Sequence, residues 1–151
     1  MIQGVFTDQI REVAEWAVEI QNILDLSPPA EDFIDRFVDG YGATPLFAQA
    51  LFAETKKFLM LCASEPTTGF TPSFWVHHMW QHFMLWPVEY RQFCASIGQP
   101  AGLRRRVRAE SYIVCYEMTR QRLAEVFGEC DNGCWNPEEW ARVCCQASAA
   151  A

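Results

Sequence analysis

Four times in this chain a residue able to cap a helix stands directly before proline: Ser27-Pro28, Thr44-Pro45, Thr71-Pro72 and Asn136-Pro137. A short polar side chain accepts hydrogen bonds from the open N–H groups of a first helical turn. Proline at the first helical position has no N–H to satisfy and a ring already set for the helix. Each pair therefore marks a helix start, and apolar residues at helical spacing follow each one.

Thr7 or Asp8 caps a first helix, in which Ile10, Val13, Ala17, Ile20 and Leu24 recur at intervals of three and four. Ser27-Pro28-Pro29 stops it and starts a second, with proline in the first turn. Phe33, Phe37 and Tyr41 line that helix, and Gly40 and Gly42 end it. After Thr44-Pro45, a third stripe runs through Phe47, Ala50, Leu51, Phe58 and Leu61, as far as the loop Ser64–Gly69. Thr71-Pro72 opens a fourth helix with Phe74, Trp75, Val76, Met79, Trp80 and Phe83. Pro87 breaks it, and a short fifth helix carries Tyr90 and Cys94 to Gly98. A loop at Gln99–Gly102 precedes a sixth helix through Tyr112, Tyr116, Thr119, Leu123 and Phe127, closed at Gly128. Asn136-Pro137 opens the last, through Trp140 and Val143.

No stretch alternates as a strand would, and no repeat stands out. The expected fold is all-α: an irregular helical bundle of about six to seven helices, forming one domain over residues 1–151. Half the residues are hydrophobic and 14% are aromatic, too apolar for a disordered chain.

Charge divides the chain unevenly. Residues 8–42 form acidic N-terminal helices. Up to residue 42, nine acids stand against Arg11 and Arg36, so this part alone accounts for the whole net charge of −7. Such a field disfavours nucleic acid and anionic membranes as main partners and leaves room for protein partners. No apolar run is long enough to span a bilayer. The first sixteen residues lack the basic and apolar regions of a secretory signal, so the default expectation is a cytoplasmic protein, with leaderless organelle import open.

The segment Phe70–Cys94 holds all three histidines and Trp75, Trp80 and Trp86. His78 and His82 stand four apart on one helix, a spacing that can offer two imidazoles to a zinc ion, with His77 or Cys94 as a further donor. No glutamate follows the first histidine, where a metalloprotease would carry one, because Met79 is there. The favoured reading is packing histidines among aromatics, with no cofactor. A nucleophile–base pair of Cys94 and His82 has nothing else behind it. Positional reasoning puts Trp80, Tyr90 and Cys94 together in the core where the fourth and fifth helices meet at Pro87.

The chain has seven cysteines. Cys62, Cys94 and Cys115 lie in apolar helical patterns and read as small buried hydrophobes. Cys130, Cys134, Cys144 and Cys145 leave free thiols, a local disulfide and zinc all open, since their spacing is not that of paired CxxC ligands. Arg104, Arg105, Arg106 and Arg108 concentrate positive charge before the sixth helix. They read either as a solvated helix start or as a contact for an acidic protein surface.

Pro72-Ser73, Val76, Trp80, Leu85, Pro87, Tyr90 and Cys94 follow one another in an order that resembles an uncharacterised family with a Trp-His-x-His motif, similar to the N-terminal part of plant glycine-rich-domain proteins. Lys57-Phe58-Leu59 upstream, and Tyr112, Thr119, Phe127-Gly128-Glu129 and Trp135 downstream, extend the resemblance over about residues 45–137. It departs at the polar positions. The family's acidic residue is His77 here, its two histidines are Gln81 and Phe83, and Gly102–Arg106 occupies the place of a later histidine pair. The resemblance thus implies a polar cluster that this chain has mostly exchanged for other side chains. His78 and His82 fall one residue out of step with it. A fold kept while such a cluster is replaced implies a scaffold. The expected function is that of a non-catalytic interaction or structural protein, an accessory subunit of a larger assembly, with a metal-dependent enzyme or metal-binding protein using His78 and His82 as the alternative.

Overall fold

The computed structural model describes residues 31–65, 68–98, 112–129 and 133–135. Through them run helices α1 (Phe33–Tyr41), α2 (Pro45–Ser64), α3 (Phe74–Met84), α4 (Pro87–Ser96) and α5 (Tyr112–Phe127), with no strand among the described residues. No described helix is long and apolar enough to cross a membrane. The helices expected through Ile10–Leu24 and through Trp140–Val143 lie outside the described residues.

Helix α1 is amphipathic in the manner its spacing implies. Phe33, Ile34 and Phe37 are buried, and Asp35, Arg36 and Asp39 face solvent. Gly42 ends it in the left-handed region, at φ 68°, and its N–H returns to the Val38 carbonyl at 2.9 Å. Only glycine takes that conformation without crowding a Cβ. Two residues on, the Thr44 hydroxyl accepts from the Phe47 N–H at 3.2 Å, with Pro45 in the first turn of α2.

Helix α2 is the centre of the described structure, packed by α1, α3 and α5. A helix enclosed in this way has no water-facing side along most of its length. Accordingly Leu51, Phe52, Phe58, Leu59, Leu61 and Cys62 are all buried, and so are Glu54, Thr55 and Lys56. The stripe read from the sequence is only one of its buried faces. Thr55 meets its burial by donating to the Leu51 carbonyl at 2.8 Å, and Lys56 Nζ sits 4.7 Å from the centre of the Phe52 ring.

One expected start is corrected. Helix α3 opens at Phe74, with Ser73 rather than Thr71 as its cap: Ser73 Oγ accepts from the Val76 N–H at 3.1 Å. The reason is tertiary. Ser73 Oγ also donates to the Cys134 carbonyl at 2.6 Å, while the Thr71 N–H is taken by Thr119 Oγ1 at 2.9 Å. Thr119 in turn donates to the Cys115 carbonyl at 2.6 Å. Hydroxyls thus tie the entry to α3 onto α5 and the 133–135 turn. Helix α1 starts at Phe33, after a turn at Glu31-Asp32, and the expected start at Ser27-Pro28-Pro29 lies outside the described residues. Trp86 stands at the N-cap of α4 and Pro87 occupies its first turn, so α3 and α4 are separated only by Leu85 and Trp86.

Candidate functional site

The histidine- and tryptophan-rich segment forms α3, the bend and α4. On the inner side of the bend, Trp80 Nε1 donates to Tyr90 Oη at 2.9 Å. Cys94, one turn beyond Tyr90, exchanges a hydrogen bond with the same hydroxyl. Tyr90 and Cys94 are buried and Trp80 is half-buried, its ring packed edge-on against Phe58 at 5.9 Å. Burial pushes the Tyr90 phenol up to about 12, against a smaller opposing effect of the Trp80 N–H. Burial also pushes the Cys94 thiol up, which keeps it a thiol and a poor nucleophile at neutral pH.

His82 and His78 meet α1 instead of each other's ligands. His82 Nε2 lies 2.8 Å from the Phe33 carbonyl. A carbonyl can only accept, so Nε2 carries the proton. Around the imidazole stand Phe33 at 4.7 Å, Phe37 at 5.4 Å and Trp86 at 4.8 Å, centre to centre. His78 packs on Phe74 at 4.4 Å and on Tyr41 at 5.2 Å. Its Nδ1 is shielded from solvent and has no hydrogen-bond partner among the described residues. Burial lowers the pKa of all three histidines. His78 adds repulsion to His77, and at His82 the Phe33 carbonyl opposes the shift while Arg36 reinforces it. Among the described residues, no three His, Cys, Asp or Glu side chains converge as metal ligands.

His77 is half-buried, Gln81 is exposed and Phe83 is deep in the core. The Phe83 ring meets Phe52 at 5.2 Å, Tyr90 at 5.1 Å and Phe93 at 5.5 Å. Those three positions therefore carry an aromatic ring in the core, an amide at the surface and one imidazole between them, and they do not form a polar pocket. Arg104, Arg105, Arg106 and Arg108 lie outside the described residues, as do Cys130, Cys144 and Cys145. Cys134 is fully buried.

Comparison with family models, curated proteins and solved structures finds no match to this chain.

Two features escaped the sequence reading. The first is an apolar corner: Met84, Leu85 and Val88, beside the bend, are 42%, 72% and 60% exposed. Its signal was the run Met84-Leu85-Trp86-Pro87-Val88, because a helix broken at proline cannot turn every apolar neighbour inward. The second is a groove of about 1080 Å³ between α2, α5 and Trp135, with Val114, Met118 and Phe127 along α5. Its polar lining is Lys57, Glu117, Arg120, Gln121, Glu129 and Glu54, the last a buried carboxylate that accepts from Lys57 Nζ at 2.8 Å and from Trp135 Nε1 at 3.2 Å. The three-residue spacing of Glu54 and Lys57 inside an apolar stripe was the available hint.

Proposed function

We propose that this chain is a non-catalytic interaction or structural protein, an accessory subunit of a larger protein assembly. The observation that carries the proposal is how the polar side chains of the Phe70–Cys94 segment are used. Ser73, Trp80, His82 and Tyr90 each hold one part of the fold to another, while Met84, Leu85 and Val88 are exposed at the bend, flanked by the exposed polar side chains of Gln81, Arg91 and Gln92. A reactive centre needs polar groups poised toward a substrate. A docking surface needs exposed apolar side chains on a rigid support.

The resemblance to the Trp-His-x-His family supports the same reading, as a divergent member whose polar positions have become packing positions. The proposal includes a single domain of six to seven helices, of which α1 to α5 are a part. It also includes a cytoplasmic setting, and protein rather than nucleic-acid partners, in keeping with the net charge of −7. Arg104, Arg105, Arg106 and Arg108 supply a second, charged contact toward an acidic partner surface.

The test is co-purification of the tagged full chain from its native cells, compared with a Leu85→Asp, Val88→Asp variant. Both changes are on exposed side chains, so the melting temperature should stay within the small range of surface substitutions, about 0.5 kcal/mol in stability. Loss of stoichiometric partners with an unchanged melting temperature is the expected result. The same partners at the same yield would remove the bend from the interface.

A further inference from the structure

Helix α1 packs chiefly on α2, and it also meets α3 through a repeated side-chain contact. Phe33, Phe37 and Tyr41 are spaced four apart, one above another on the same face. Opposite them on α3 stand His82 and His78, also four apart. Phe33 and Phe37 surround His82, and Tyr41 meets His78, so the two rows run in opposite directions. The hydrogen bond that ties the rows together is His82 Nε2 to the Phe33 carbonyl at 2.8 Å. The rest of the contact is aromatic. His82 is buried and His78 half-buried in it, and the rings around them offer little to solvate a charge.

The charges around them are of the wrong sign or already engaged. From α1, the Arg36 guanidinium sits 5.9 Å from the centre of the Trp86 ring that also flanks His82, and its Nε is held by Asp32 at 2.6 Å. The other α1 acids, Asp35 and Asp39, are on the exposed side. From α2, Lys56 lies over the Phe52 ring, which packs edge-on to Phe33 at 4.8 Å. On α3 itself, His77 is 5.5 Å from His78, ring to ring. Helix α4 brings Trp86, its cap, with Glu89 in the following turn.

We infer that α1 is an acid-released latch: it stays laid along α3 while His82 and His78 are neutral, and it lifts when they take up protons. A proton on His82 brings a second positive charge beside Arg36, among the rings of Phe33, Phe37 and Trp86. A proton on His78 adds a charge next to His77 and Phe74. The lowered pKa of each histidine in the docked state has the same sign. Docking is at full strength above the ordinary histidine value of 6.5 and weakens as pH falls below it. Release would uncover the rings of Phe52, Phe83 and Trp86 beneath Phe33, an aromatic surface absent from the closed form.

The test is hydrogen exchange of the full chain at about pH 8 and about pH 5, with rates corrected for the intrinsic effect of pH. Amides of residues 33–41 should lose protection by about tenfold or more at the lower pH, while those of α2, α3 and α5 keep theirs. In a His78→Gln, His82→Gln variant, the amide introduced in place of His82 can still donate to the Phe33 carbonyl. Neither new side chain titrates, so protection of α1 should be the same at both pH values. A proton NMR titration of wild-type His82 gives a reading that does not depend on the variant folding. Its midpoint should lie below 6.5. The proposal fails if α1 keeps its protection in acid, if α2 opens together with it, or if His82 titrates at or above 6.5.

Discussion

Trp80 reaches across the bend at Pro87 and donates its indole N–H to the hydroxyl of Tyr90, at 2.9 Å. The bond closes a corner that the proline opens. It also orients the Tyr90 hydroxyl toward Cys94 on the next turn.

Substitutions at Trp80 separate the two parts of this contact. Trp80→Phe removes the N–H and keeps a ring against Phe58, and should lower stability by about 1 kcal/mol. Trp80→Ala also removes the ring, and should cost about 3 kcal/mol, at the low end for aromatic truncations because the side chain is half-buried. Urea denaturation of the two variants measures both. Equal losses would mean that the ring contributes nothing to the corner.

The phenols give a second check. Burial raises both Tyr90 and Tyr116 to about 12. At about pH 11, Tyr90 and Tyr116 should therefore remain mostly un-ionised in the folded protein and add their 295 nm absorbance only on unfolding. A raised phenol pKa stabilises the folded state fully below the ordinary value of 10.0 and loses that contribution as pH rises toward 12. Unfolding at alkaline pH should accordingly coincide with the appearance of the missing absorbance.

How much of this was legible in the sequence depended on how far each cause lay from its effect. The stripe Phe33, Phe37, Tyr41 and the stop at Gly42 follow from local spacing and are seen in the structure. The start of α3 was misplaced by two residues, because Thr71 is claimed by Thr119, 48 residues away. The role of His82 depended on the Phe33 carbonyl, 49 residues away, and no spacing rule reaches that far. The burial of Glu54 and Lys56 was hidden for a related reason. A charged residue on α2 reads as exposed until the helices enclosing α2 are known. Pro87 brings Trp80 beside Tyr90 locally, but Trp80 is half-buried where burial with Tyr90 and Cys94 in the core was expected.

Zinc content decides between the packing reading of the histidines and the metal reading. Protein purified without chelator should carry well below one zinc per chain by elemental analysis. A stoichiometric metal that disappears in a His78→Ala, His82→Ala variant would replace the docking account with a metal-based one.

Charge reversal probes the arginine cluster. With Arg104, Arg105, Arg106 and Arg108 changed to Glu, partner binding should fall sharply while helicity is kept. Wild-type binding should weaken as salt rises, because exposed charges are screened over about 8–10 Å at physiological ionic strength. Unchanged partners with a lower melting temperature would mean that the cluster only neutralises the acidic helices of its own chain.

The most direct test of the central claim is the native size of the species that contains this chain. Gentle extracts of the native cells, resolved by size-exclusion chromatography and probed for the full chain, should place it in a complex several times the mass of one chain. The Leu85→Asp, Val88→Asp variant should move to the monomer position while keeping its melting temperature. Elution of the wild-type chain as a monomer would contradict the account.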